Sequence, residues 1–125
     1  MRNNMTRALV VMSVLVLTAC SESLDIQLES EVTAFLSNGY EQGIRLTPQD
    51  NAHAALRAWL QEHKSGWYPT SGHYPGGVYV KSGDHGIQIT TTHVVLYSTT
   101  SPEPRAMYIQ KVGSGELGEI RNLGK

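Results

Sequence analysis

The chain has one cysteine in 125 residues, Cys20. A disulfide within the chain is therefore excluded, and so is a structural zinc site built on thiolates. Charge is equally spare. Ten Lys and Arg stand against eleven Asp and Glu, a formal charge of −1 with neutral histidines. No basic run or patch appears, which removes nucleic acid as an expected partner. No internal repeat and no long low-complexity stretch is present, so a solenoid is not expected. Long hydrophobic runs are missing too. The segment from Ala8 to Leu17 is apolar apart from Ser13. As a helix it would reach only about 15 Å, half the roughly 30 Å of a bilayer core.

What stands around that short run has a pattern. Arg2 and Arg7 come before it, and no acid precedes Glu22. A basic start, a short apolar stretch and small residues afterwards make a secretory signal peptide. Leu17-Thr18-Ala19-Cys20 resembles the lipobox of the type II signal peptide of bacterial lipoproteins: Leu, a small or polar residue, Ala or Gly, then Cys. The resemblance implies cleavage between Ala19 and Cys20, a diacylglycerol thioether on the Cys20 thiol, and acylation of the new amine, with palmitate as the expected chain. One acyl chain holds a protein only marginally, whereas several hold it firmly. In lipoproteins of diderm bacteria an Asp after the cysteine favours inner-membrane retention. Ser21 in that place implies the outer membrane, facing the periplasm. On this reading residues 1–19 are a cleaved signal peptide, 20–25 the lipidated residue with a short tether, and 26–125 one small domain. Removal of the first 19 residues leaves 106, a length suited to a single core.

The mature chain reads as α+β: one amphipathic helix packed on a small antiparallel sheet, in the order β-β-α-β-β-β-β. Val32, Ala34 and Leu36 alternate with Glu31, Thr33 and Phe35. Ser37-Asn38-Gly39 is turn chemistry, and Ile44 and Leu46 follow on either side of Arg45. A helix from Leu24 to Leu36 competes with this hairpin. Thr47-Pro48-Gln49-Asp50 starts a helix, with Thr as N-cap and Pro at the first helical position. Ala52, Ala55, Leu56, Trp59 and Leu60 recur at helical spacing, so the helix is expected over 48–64, with Gly66 as its stop. The loop 65–77 holds four glycines and two prolines and is expected to be irregular. Short strands at 78–81, 86–90, 93–98 and 106–112 recur about every eight residues, the signature of a meander. Val78, Val80, Ile87, Ile89, Met107 and Ile109 are expected to face the helix, with Trp59 beneath them. The sheet's other face is expected to meet solvent or a partner. Leu117, Ile120 and Leu123 suggest a helical turn or two docking on the domain.

Chemistry is scarce. His53 and His63 are ten residues apart on the helix and do not converge; His63 reads as a packed or capping residue. His73, His85 and His93 show no H-x-H or H-x-x-x-H spacing, so no metal and no other cofactor is expected. Ser71 and Ser114 lie in ordinary turn sequence, not in a nucleophile elbow. Glu116 and Glu119 could face each other on a helix as an acid–base pair, but that spacing more often marks a solvated face. No enzyme activity is expected.

The candidate binding surface is the aromatic loop with Trp67, Tyr68, His73 and Tyr74. Aromatics on a constrained loop give contact area at low entropy cost. Trp67 can equally fold inward as a lid beside Trp59. Ser71-Gly72-His73-Tyr74 is similar to the Ser-Gly-x-x-Tyr loop with which periplasmic lysozyme-inhibitor lipoproteins enter the lysozyme cleft. Here the tyrosine comes one residue early, and the expected helix departs from their all-β barrels. Two functions follow as expectations. The first is a lipid-anchored periplasmic binding protein, of the inhibitor or immunity type, that captures an envelope protein or glycan. The second is a structural envelope lipoprotein with no small-molecule site. The anchor has a direct test. Cys20→Ser should release the protein from the membrane fraction on cell fractionation; a variant as membrane-bound as the parent would refute it.

Overall fold

The helix α1 (Asn51–Glu62) is rich in Ala and Leu, strong helix formers, and buries Ala52, His53, Leu56, Trp59 and Leu60 along one stripe. It starts later than the sequence predicts. The Asp50 carboxylate accepts hydrogen bonds from the Thr47 N–H (2.8 Å) and the Thr47 hydroxyl (3.3 Å). The Asp50 N–H donates to the Thr47 carbonyl at 2.9 Å. Thr47 to Asp50 thus close into a turn, and Asp50 with extended backbone becomes the N-cap. At the other end His63 is the cap. Its N–H donates to the Trp59 carbonyl at 2.9 Å, and its ring Nδ1 donates to the same oxygen at 2.8 Å. Gly66 takes φ +89 three residues further on, outside the helix.

The computed structural model describes residues 21–36, 43–99 and 105–123. Cys20 and the Ser37-Asn38-Gly39 turn lie outside the described residues. The fold is α+β, with one helix of three turns on an antiparallel sheet. The strands are β1 (Val32–Leu36), β2 (Ile44–Leu46), β3 (Tyr68–Pro69), β4 (Val78–Ser82), β5 (His85–Ile89), β6 (His93–Ser98) and β7 (Arg105–Lys111), and a short helix α2 (Gly118–Arg121) follows. Their order in the sheet is β2-β1-β4-β5-β6-β7-β3. β1 and β2 pair as the predicted hairpin, which removes the competing helix over 24–36. β4 to β7 form the predicted meander. Gly83, at φ +58, opens the two-residue turn between Ser82 and His85; glycine suits the first central position of such a hairpin turn. Strand β3 was not predicted. It is two residues drawn from the loop, and it pairs with β7 through Tyr68–Ile109 and Pro69–Tyr108.

Val32, Ala34, Val78, Val80, Ile87, Ile89, Val94 and Leu96 form one core with Leu56, Trp59 and Leu60 of α1. Burying each Val, Leu or Ile side chain among them contributes about 1.5–3 kcal/mol. Strand β7 has the opposite phase to the one predicted. Leu96 pairs with Tyr108, and the register slips between Leu96 and Tyr97. Tyr108 therefore packs against the core, while Met107 is 45% exposed and Ile109 lies opposite Val95 on the other face. A bulge of this kind changes which residues of a strand face inward.

Among the described residues, the first and last segments both lie against this core. Leu24, Ile26 and Leu28 pack on it from an extended N-terminal segment. That segment runs along α1: Leu24 N–H donates to the Lys64 carbonyl (2.6 Å), the Gln61 amide to the Ile26 carbonyl (3.2 Å), and His53 Nε2 to the Glu29 carbonyl (2.7 Å). At the far end Leu117 and Ile120 are buried and Leu123 packs beside them, as the tail's spacing suggested.

Trp59 is 4% exposed. Trp59→Ala should cost roughly 3–5 kcal/mol through the cavity it leaves, measured by denaturant unfolding; a change below about 1 kcal/mol would contradict the burial seen here.

Candidate functional site

The topology determines where the aromatic loop goes. From β2, at one edge of the sheet, the chain crosses the inner face as α1 and emerges at β3, on the opposite edge. It must then return to β4, past β7, β6 and β5. The inner face is already occupied by α1, so residues 70–77 cross the outer face as a strap.

Gln88 holds that strap down. Ile87 and Ile89 point into the core, so Gln88 between them points outward, yet it is buried. Its amide nitrogen donates to the carbonyls of Tyr74 and of Gly76, the latter at 2.7 Å. Its amide oxygen accepts from the Tyr97 hydroxyl at 2.5 Å. Thr70 and Tyr74 join their hydroxyls beneath the loop. Tyr79 and Tyr97 meet edge to face, ring centroids 5.6 Å apart. Burial raises both of their pKa values above the ordinary phenol, for Tyr97 with help from Tyr79 and Tyr74. Val95, opposite Gln88 in the register, is fully buried. The outer face therefore carries a second, polar and aromatic packing layer, where the sequence led us to expect open surface. Gly77 ends the strap at φ +79, and a Cβ there would collide with the Ile89 carbonyl.

The four predicted surface residues separate. Trp67 is a correction: it is fully buried, its indole N–H donates to the His63 carbonyl at 2.8 Å, and its ring meets Trp59 edge-on at 6.0 Å. It is the lid on the core. Tyr68, the next residue, points the other way as strand geometry requires and is 51% exposed. It borders an open groove of about 600 Å³ with Gly66, His93, Ile109, Gln110 and Lys111. His73 is exposed on the strap, with Ser71, Gly72 and Pro75 around it. Tyr74 is half-buried beneath it, so its ring supports the strap and is not free for contact. The sequence reading missed Gln88 altogether. Its one signal was an amide side chain inside the apolar run of β5.

The other candidates also find places. His85 and His93 lie at opposite ends of the β5–β6 hairpin, opposite Ser98 and Lys111. Among the described residues no three of His, Cys, Asp and Glu come together as a metal site would need. Glu116 is occupied structurally. Its carboxylate accepts from the Gly113 N–H (2.7 Å) and from the Trp59 indole N–H (2.9 Å), and it lies 3.6 Å from His63 Nε2. Glu119 is exposed. Among the described residues no helix is long and apolar enough to cross a membrane. No protein-family model, no curated protein and no solved structure matches the chain significantly. Fold and geometry together define a small α+β domain whose sheet is strapped on its outer face.

The Glu116 contacts have a pH signature. The Gly113 hydrogen bond, with Trp59, His63 and Arg121 adding to it, holds the carboxyl below its ordinary value of 4.5. A lowered pKa in the folded state means that its contribution is full above about pH 4.5 and is lost as pH falls through the folded value. Glu116→Gln should therefore destabilise the domain at pH 7 and lose that effect toward pH 3, measured by thermal unfolding across the range. A difference unchanged between the two pH values would refute the charge-dependent role.

Proposed function

We propose that this chain is a lipid-anchored binding domain, held by Cys20 at a membrane outside the cytoplasm, the outer membrane on its periplasmic side. It captures an envelope partner, a protein or a glycan, through the strap over residues 70–77. One observation carries the reading: the strap is pinned from below by Gln88 and Tyr74 while Ser71, Gly72, His73 and Pro75 face solvent. A loop ordered before it binds loses little entropy on binding, and loops on a rigid sheet are where recognition residues concentrate. His73 supplies a ring for stacking and two nitrogens for hydrogen bonds. Glycines around it let a partner approach the backbone. Tethering raises the local concentration of the domain, so modest affinity suffices near the membrane.

The soluble domain, residues 21–125, presented to envelope proteins, peptidoglycan and lysozymes in a pull-down, should retain one of them. Retention should fall several-fold on His73→Ala, which leaves the fold untouched, and on Gln88→Leu, which releases the strap. Binding that survives both changes would move the site off the strap. No partner at all, with an envelope defect on deletion, would favour the structural role.

A further inference from the structure

The chain meets the fold earlier than a tether of residues 20–25 would allow. Glu22 pairs with the outer side of the β3 edge: its N–H donates to the Trp67 carbonyl (2.7 Å), and its carbonyl accepts from the Trp67 N–H (3.2 Å). Leu24 is already hydrogen-bonded to Lys64. Only Ser21 stands between Cys20 and the docked chain, and two residues of backbone span at most about 7 Å. Whatever is attached to Cys20 is therefore held at the β3 edge.

That corner is also where apolar surface is left uncovered. Among the described residues the large hydrophobic side chains that are exposed are Tyr68 and Met107. Tyr68 directly follows Trp67, the partner of Glu22. Met107 accepts the Thr70 N–H through its carbonyl at 2.9 Å, just past β3, and the Glu22 carboxylate raises the pKa of its neighbour Tyr108 above the ordinary phenol. Strand addition by another chain is disfavoured at this edge. Glu22 already covers the Trp67 backbone, and Pro69 offers no N–H.

We propose that the β3 edge, with Tyr68 and Met107, rests on the bilayer surface. The proposal rests on the lipid-anchor reading of Cys20 and adds an orientation to it. Tyrosine suits the headgroup region, since its ring is apolar and its tip polar. The seven strands then stack away from the membrane, with β2 roughly 30 Å out at about 4.8 Å per strand, and the strap faces sideways.

The test uses the lipidated full chain in phosphatidylethanolamine–phosphatidylglycerol vesicles. The thioether consumes the Cys20 thiol, so an added cysteine is the one that takes a spin label. Tyr68→Cys, Met107→Cys and Arg45→Cys are compared; Arg45 lies on β2, at the far edge. Labels at 68 and 107 should lose accessibility to a water-soluble relaxant and gain it to oxygen, while the label at 45 stays aqueous. Vesicle-bound protein whose three labels are equally aqueous would overturn the orientation and leave the anchor intact. Dipolar broadening at 68 between copies would overturn it in favour of a self-interface. Protein that carries no lipid and stays off the vesicles would overturn both readings.

Discussion

The indole of Trp59 is the contact on which the rest of the domain depends. It lies on α1, and three separate parts of the chain meet it. The His63 ring stacks on it at 4.1 Å and caps the helix. Trp67 approaches it edge-on and brings the start of β3 and, through Glu22, the N-terminal segment. Glu116 accepts its N–H and fixes the turn before α2. A buried tryptophan needs a partner for its one donor; here that partner is drawn from the C-terminal tail. One side chain thus joins the helix, the sheet edge and the tail.

The position of β3 follows from this and has a second consequence. The Trp67 side chain must reach Trp59 on the inner face, so β3 is held at the edge of the sheet farthest from β2. The chain cannot return to β4 without crossing the sheet, and only the outer face is free. The strap is therefore a requirement of the topology before it is a feature of function. Gln88 makes it tolerable. A loop laid on a sheet carries backbone carbonyls that need donors, and the Gln88 amide supplies them for Tyr74 and Gly76.

The two proposed surfaces occupy different parts of the molecule for the same reason. Strand alternation sends Trp67 inward and Tyr68 outward, at the edge where the chain leads to Cys20. The strap leaves that edge and carries His73 across the outer face. A domain arranged in this way can rest one edge on a membrane and offer a perpendicular face to a partner.

The sequence by itself determined the features that repeat locally. Ala52, Leu56, Trp59 and Leu60 at helical spacing, and the alternation in β1, β4 and β5, were enough to establish one helix on an antiparallel sheet, because each pattern needs only its own neighbours to be read. The docking of Leu117 and Ile120 was legible in the same way. The strand β3, the phase of β7 and the separation of Trp67 from Tyr68 were not. Two residues are too few to show alternation, and a bulge at Leu96–Tyr97 reverses a phase without any mark in the composition of β7. Gln88 passed unnoticed because alternation names a face and not what lies over it. Only the tertiary structure decided that the strap covers that face, since the crossing depends on which edges β2 and β3 occupy, and that is settled by contacts between residues far apart in the chain.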